Sequence, residues 1–446
     1  MQKKYEQLFK DLISSYYNGN FDEQIENIIK SNFSNKEEAI NILSSLCGVD
    51  ILNDNNYIYN LKKAITTHEV RKNIVKKVGN CIEPCSNTGC KCLSLCPFDA
   101  ILINPLDNSK YINDTLCENC GLCVEQCESG NFIDSIEFMP VLDLIKNNKK
   151  VVAAVAPAIS GQFGENVTLD MLREAFVKIG FSDMIEVAFA ADMLTIKEAI
   201  EFDHHVHKKG DILITSCCCP MWVGMLKKVF SELVKDVSPS ISPMIAAGRI
   251  LKKLSPDTKV VFIGPCIAKK AEAKDKDLIG AIDYVLTFQE LKSIFDAFNI
   301  APETLKGIPS IEYASRGGRL YARTGGVSEA ISDVVKELFP EKHKIFKAIQ
   351  ADGVVGCKEV LSKALNGELD ANFIEGMGCV GGCVGGPKRL INKEDGCKAV
   401  ENEAYNSPIK VPTHSFILDE ILAKLGINSL EDFKDSEKIK ILERNF

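Results

Sequence analysis

The chain has no run of apolar residues long enough to span a bilayer, so nothing in it reads as a membrane anchor. It has no basic stripe either. Its 53 lysines and arginines are interleaved with 61 acidic residues for a formal net charge of -8, and that mild, scattered acidity is no footprint for nucleic acid. The start is not expected to be a leader: "MQKKYEQLFKDLISSYY" carries charge throughout and reads as an amphipathic helix rather than a signal peptide. Low-complexity sequence is absent, and so is any internal repeat longer than a cysteine motif. Together these absences point to a cytoplasmic protein. Its 446 residues fit about two to four domains with ample core.

What is there is cysteine. The chain holds 18, nine of them between Cys81 and Cys127 and three in a row at Cys217, Cys218 and Cys219. In a reducing compartment such density points to ligands or catalysts rather than disulfides. Three adjacent thiols cannot be a structural bridge, because neighbouring cysteines rarely reach the geometry one needs. Cys47 stands alone and reads as a buried free thiol.

The cysteines and the apolar pattern divide the chain. Residues 1–78 show the spacing of short amphipathic helices, as in "FDEQIENIIKSNF" and "EEAINILSSL". Residues 79–140 form a small cysteine-rich domain. Over 150–390 short apolar strands alternate with helices: "KKVVAAVAP", then "TLDMLREAFVKIG" with its glycine stop, then "DILITS" and "TKVVFIGP". That alternation predicts parallel strands in an α/β sheet. The last two strands each end at a cysteine motif, where ligands collect in such sheets. Residues 391–446 form a helical tail containing "SFILDEILAKLG".

"CENCGLCVEQCESG" places Cys117, Cys120, Cys123 and Cys127 at C-x2-C-x2-C-x3-C, the run of bacterial two-cluster ferredoxins, whose last cysteine serves the other cluster. Zinc prefers two separated C-x2-C pairs. Upstream lie Cys81, Cys85, Cys90, Cys92 and Cys96, with Cys92-x3-Cys96-Pro97 in ferredoxin register and one cysteine too many. Two 4Fe-4S clusters are expected. Cys96 with Cys117, Cys120 and Cys123 holds one; Cys127 with three of Cys81, Cys85, Cys90 and Cys92 holds the other.

Three further motifs, "TSCCCPMW", "GPCIAKKAE" and "EGMGCVGGCVGGP", occur in order. Together they resemble the signature of the FeFe hydrogenases, which interconvert dihydrogen with protons and electrons at an H-cluster. The resemblance runs from about Lys150 to Arg389, and a ferredoxin-like dicluster domain is a usual partner in that family. It implies an α/β H-cluster domain of two lobes with parallel-rich sheets. It also implies a 4Fe-4S cubane on Cys219, Cys266, Cys379 and Cys383, with Cys383 bridging to a diiron unit that carries CO, cyanide and an azadithiolate. Cys218 then takes the place of the proton-relay thiol, and Lys269 that of the lysine donating to a cyanide. Met377 supplies soft packing at the diiron site. Ala156 and Pro157 match the loop near a cyanide, and Thr324 and Gly325 a TGGV turn.

The match is divergent. Gly264 replaces a methionine, Ala158 a serine, and Cys217 sits where serine is usual. Ala199 and Phe202 are read at the places of the two glutamates of the family's proton path, with Glu198 and Glu201 turned away by one residue, about 100 degrees of helix. On that reading protons must travel elsewhere, with Glu375 and Glu272 as candidates. These departures resemble the sensory branch and imply slow, reversible turnover. The implied partners are dihydrogen, protons and a small redox protein such as ferredoxin, or a signalling partner; the oligomeric state stays open, a homodimer included. The rival readings are a hydrogenase-related iron–sulfur scaffold or assembly protein without a diiron unit and, behind it, a plain electron carrier. His204, His205 and His207 read as a helix C-terminus rather than a metal site. Cys357 and Cys397 have no assigned role.

Overall fold

The computed structural model describes residues 3–33, 35–51, 56–67, 73–79, 81, 91–208, 210–215, 217–311 and 314–446. The predicted cluster ligands Cys85 and Cys90 lie outside the described residues.

Two parallel sheets carry the large domain. Strands are numbered here in chain order: β1 Val75–Lys77, β2 Ile101–Ile103, β3 Lys110–Ile112, β4 Phe132–Asp134, β5 Val151–Val155, β6 Asp183–Glu186, β7 Leu213–Ile214, β8 Lys259–Gly264, β9 Tyr284–Thr287, β10 Ala348–Asp352 and β11 Phe373–Met377. One sheet has the order β6–β5–β8–β9 and the other β10–β11–β7, every pairing parallel. β5, β8 and β11 are almost wholly buried, which is why they read as continuous apolar runs. In the first sheet the order reverses between β5 and β8. A crevice opens at the carboxyl ends of two such strands, because their connections leave in opposite directions. Ala156 follows β5 and Cys266 follows β8 by two residues, so the crevice falls on the two sequence motifs.

The small domain is built from two-stranded pairs. β2 and β3 form one, β1 and β4 the other, both antiparallel. The boundary placed after residue 78 is therefore too late, since Val75 pairs with Asp134 across β1 and β4. The boundary at 140 falls inside a buried helix, Phe138–Asn147. The N-terminal helices Glu6–Tyr17, Phe21–Asn32, Lys36–Leu46 and Tyr57–Thr67 are as expected. Lys10 pairs with Asp296 at 3.0 Å, and the rings of Tyr17 and Phe298 meet edge to face. Nor is the C-terminal part a separate tail: Val400, Leu418, Leu422 and Leu442 lie in the main core with the first sheet.

A buried set of charges joins the small domain to the large one. Lys388 Nζ is 2.6 Å from Asp134 Oδ1, and Lys270 Nζ is 3.2 Å from Asp134 Oδ2 while also pairing with Glu290. Burial opposes the Asp134 charge, but Lys388 and Lys270 outweigh it and hold the carboxyl well below its usual range. Among the described residues no helix is long and apolar enough to cross a membrane.

Candidate functional site

The site forms where the carboxyl ends of both sheets deliver their loops. Cys219 caps the helix Pro220–Lys228, whose proline stands at the first turn. Its Sγ accepts from Gly378 N at 3.2 Å. Trp222, fully buried in that helix, donates from Nε1 to Thr215 O at 2.8 Å and pins the turn that carries the three cysteines. Cys379 and Cys383 lie on the glycine loop after β11. There Gly382 has φ +87, and a Cβ on it would stand 2.7 Å from Thr324 N, so only glycine permits the approach. Lys388 N donates to Pro265 O at 3.0 Å, tying this loop to the one that holds Cys266.

Cys219, Cys266, Cys379 and Cys383 thus converge. Burial, and then the neighbouring sulfurs, push Cys266 up to about 11 and Cys383 up to about 12, and Cys379 well above its ordinary value. Raised thiols such as Cys266, Cys379 and Cys383 become thiolates readily only with a cationic group to hold. Among the described residues no three His, Cys, Asp or Glu side chains close tightly enough for a single metal ion.

The second group stands beside the first. Cys96, Cys117, Cys120 and Cys123 act electrostatically on one another, and Cys120 also on Cys266 and Cys379. Gly121, at φ +81 between Cys120 and Cys123, allows the contact: a Cβ there would lie 2.3 Å from Cδ1 of Ile267, the residue after Cys266. For the outer group, Asn131 donates from its side chain to Cys81 Sγ at 2.9 Å and from its backbone to Cys127 Sγ at 3.2 Å. Cys92 packs with Cys127 and Cys123 in the same apolar cluster.

Next to the four-thiol group is a small cavity, lined by Ala156, Pro157 and Ala158, by Met244, Phe262 and Tyr321, and by Cys218, Lys269 and Cys383 among others. Its walls are apolar except for two thiols, an ammonium and a phenol. Lys269 pairs with Glu272 at 2.6 Å, and the other oxygen of that buried carboxylate has no partner. Burial opposes the Lys269 charge, but Glu272 outweighs it and holds the ammonium above its ordinary range. Cys218 keeps its proton, pushed well up by burial and by Cys383 and Cys219. Gly264 has a local cause: a Cβ there would stand 2.7 Å from the ring of Phe262, which fills that space.

Four expected site residues stand outside the cavity. Thr324 Oγ1 donates to Asp352 at 3.0 Å and Gly325 N to Glu375 at 2.7 Å, so the turn is tied into the fold and lines no part of the cavity. Both oxygens of Glu375 are taken, the second by Ser328 N at 2.7 Å and Ser328 Oγ at 2.6 Å. Its role is to anchor the helix Gly326–Leu338, and it is no free acid. Met377 packs with Cys218, Cys219 and Tyr321 just outside the cavity. Glu272 is buried rather than a surface partner.

The largest correction concerns the helix Ala188–His205. Glu198 is not turned away: it is fully enclosed, accepts from Thr215 Oγ1, and acts on Cys218 and Tyr321. Ser240 bonds its carboxyl, Ser238 Oγ lies 2.9 Å from Ser240 Oγ, and Ser238 donates to Glu201 at 2.6 Å. Burial, and then the charge of Glu201, push Glu198 up to about 7. Ala199 and Phe202, read at those places from the sequence, are buried apolar packing. The Cys217 thiol donates to Ser238 O at 3.1 Å and packs behind this chain of acids and hydroxyls. No local sequence signal marks Met244, Tyr321 or Ser240, which tertiary packing brings in.

Residues 149–387, more than half of the chain, match the family model described as iron only hydrogenase large subunit, C-terminal domain. The chain belongs to that family. It is 28% identical over 328 residues to NADP-reducing hydrogenase subunit HndD of Solidesulfovibrio fructosivorans, covering 61% of this chain and 56% of that protein. The chain spans about half the length of the curated hydrogenases it matches. Cytosolic iron-sulfur assembly component 3 of Rattus norvegicus is 22% identical over 341 residues, 63% of this chain and 71% of that protein. Among solved structures, an [FeFe]-hydrogenase HydA1 variant from Chlamydomonas reinhardtii superposes with a TM-score of 0.55 at 23% identity, covering 67% of this chain and 93% of that one. The fold is that of the iron-only hydrogenases.

Proposed function

We propose that this family member is a reversible hydrogenase, taking dihydrogen to protons and electrons at an H-cluster. The observation that carries the reading is the cavity, where a protonated thiol and a buried ammonium face a space walled by apolar groups beside Cys383. A protein that held only cubanes would have no group in that cavity for the remaining protons of Lys269, which Glu272 alone does not take up.

The residues fit the implied group. Cys219, Cys266, Cys379 and Cys383 would hold its cubane, and Cys383 is the one that also borders the cavity. When bound, the H-cluster supplies the open iron site and the electron store for hydrogen chemistry. The chain does the rest. Lys269 donates to an anionic ligand, as a charge-assisted bond in a dry site. Cys218 passes protons, and Glu198 receives them at a carboxyl poised near neutrality, where a group both takes and gives a proton readily. Ser240, Ser238 and Glu201 continue outward. Cys96, Cys117, Cys120 and Cys123 would hold one further cluster and the outer cysteines a second, which would supply an electron route to a ferredoxin-type acceptor.

With Glu198 and Glu201 in place, a missing proton path no longer argues for slow turnover. Ala158 and Gly264 remain as departures that favour a sensory role. A second reading, an iron–sulfur scaffold without the diiron unit, draws on the likeness to the rat assembly component.

The test is an anaerobic infrared spectrum of cluster-loaded protein treated with a synthetic diiron azadithiolate precursor. The expected result is retained CO and cyanide bands that shift under hydrogen. Intact cubanes with no retained bands favour the scaffold.

A further inference from the structure

The C-terminal segment Ile441–Phe446 lies across the outer end of the acid chain. Ser240 and Glu443 form an antiparallel bridge, Ile241 N donates to Leu442 O at 3.0 Å, and Arg444 N donates to Pro239 O at 2.9 Å. Arg249 holds the strap from behind, its guanidinium donating to the carbonyls of Ile441 at 3.2 Å and Glu443 at 2.8 Å. Arg444 pairs with Asp275 at 3.0 Å. The strap therefore brings one particular side chain, Glu443, against the buried end of the route.

What Glu443 meets there is Lys197. That ammonium is 1% exposed, yet its Nζ is 3.3 Å from Glu443 Oε1, 3.2 Å from Ser240 Oγ, and paired with Glu201. An ammonium has three protons, and here each has one acceptor. Two of the three lead inward, since Ser240 bonds Glu198 and Glu201 accepts from Ser238. The third leads outward. Glu443 is the most exposed of these side chains, at 25% against 15% at Glu201 and 1% at Lys197.

We propose that Glu443 is the outermost relay of the proton route, delivered by the C-terminal strap, with Lys197 as the link between it and the inner acids. Glu443 takes a proton from solvent. As Lys197 receives that proton it gives one to Glu201, so each group returns to its starting state, and the sequence reverses for outward flow. Glu443 thus sets access of solvent protons to Glu198. The destination of those protons rests on the hydrogenase reading; the route itself does not.

The test uses the full chain carrying its iron–sulfur clusters with no diiron precursor. Rapid mixing into D2O is followed at the infrared carbonyl stretch of protonated Glu198, identified by its loss in Glu198→Gln. In Glu443→Gln the exchange should slow by about one order of magnitude or more. Glu443→Asp, which keeps a carboxylate, should stay near the native rate, with thermal stability and iron content unchanged in both. Native exchange in Glu443→Gln overturns the proposal. Equal slowing in both variants with loss of stability also overturns it, because the strap would then be structural only. If Glu443→Gln slows exchange while diiron-loaded protein shows no hydrogen turnover, the route stands and the hydrogenase reading falls.

Discussion

Lys269 Nζ stands 2.6 Å from Glu272 Oε2, both side chains are buried, and Glu272 Oε1 has no partner. A pair with spare hydrogen-bonding capacity on both members, set against an apolar cavity, is arranged to hold something more than itself. Lys269→Met should abolish retention of cyanide bands in diiron-treated protein while leaving the iron of the cubanes in place. Stranding Glu272 should cost about 3–5 kcal/mol in chemical unfolding. Adding Glu272→Leu should recover much of the stability but not the bands, which separates the two effects.

Cys218→Ala keeps the cavity and removes the thiol that borders it. Turnover should fall by about 100-fold or more, the scale of a lost proton-transfer group. The cyanide and CO bands should be retained. Activity within about twofold of native would take the relay away from Cys218.

Glu198 gives a pH signature in stability. Its carboxyl is raised from an ordinary 4.5 to about 7 by burial and by Glu201. The folded chain therefore binds a proton that the unfolded chain has lost. That contribution is fully present below about pH 4.5 and is lost as pH rises through about 7. Glu198→Gln has no such proton to lose. Melting temperatures taken between about pH 5 and pH 8 should show native protein losing stability relative to Glu198→Gln as pH rises. Parallel curves would place the Glu198 carboxyl in its ordinary range.

The charges between the two domains should matter more than surface pairs. Asp134→Ala leaves the ammonium groups of Lys270 and Lys388 buried beside each other, with Glu290 as the remaining carboxylate of the set. A loss of about 3–5 kcal/mol is expected. Spin coupling between the reduced clusters, read by electron paramagnetic resonance, should weaken as the small domain loosens. A ΔΔG below about 1 kcal/mol, typical of exposed pairs, would mean that water reaches these groups.

Iron content checks the cluster count. Three cubanes predict about twelve irons per chain before diiron loading and about fourteen after. About eight before loading would remove the outer cluster on Cys127 and three of Cys81, Cys85, Cys90 and Cys92.

The cysteine ligands were legible in the sequence because a tight loop around a cluster is a local matter, set by spacing over a few residues. Cys117 to Cys127 could be proposed as ligands on that ground, whereas Cys379 and Cys383 came from the resemblance of three motifs taken together. The strands β5 and β8 were legible for a related reason, as short apolar runs that end at motifs. Glu375 misled because a glutamate opening a motif looks the same in sequence whether it faces a cavity or, as here, three donors of a neighbouring turn. Thr324 and Gly325 misled in the same way.

Glu198 shows where sequence reasoning stops. The helix Ala188–His205 is buried on nearly every face, with Asp192, Thr195, Lys197 and Glu198 enclosed along with its alanines. Such a helix has no polar stripe from which to read a direction, so a shift of one residue cannot be detected from periodicity. The register was decided by partners distant in the chain: Thr215 after β7, Ser238 and Ser240 on the following loop, and Glu443 near the C-terminus. By itself the sequence determined which cysteines are candidates to hold iron, because ligand chemistry and loop spacing act locally. Only the tertiary structure decided how protons reach that iron, because a buried relay exists only once separate segments have brought their polar groups within hydrogen-bond distance.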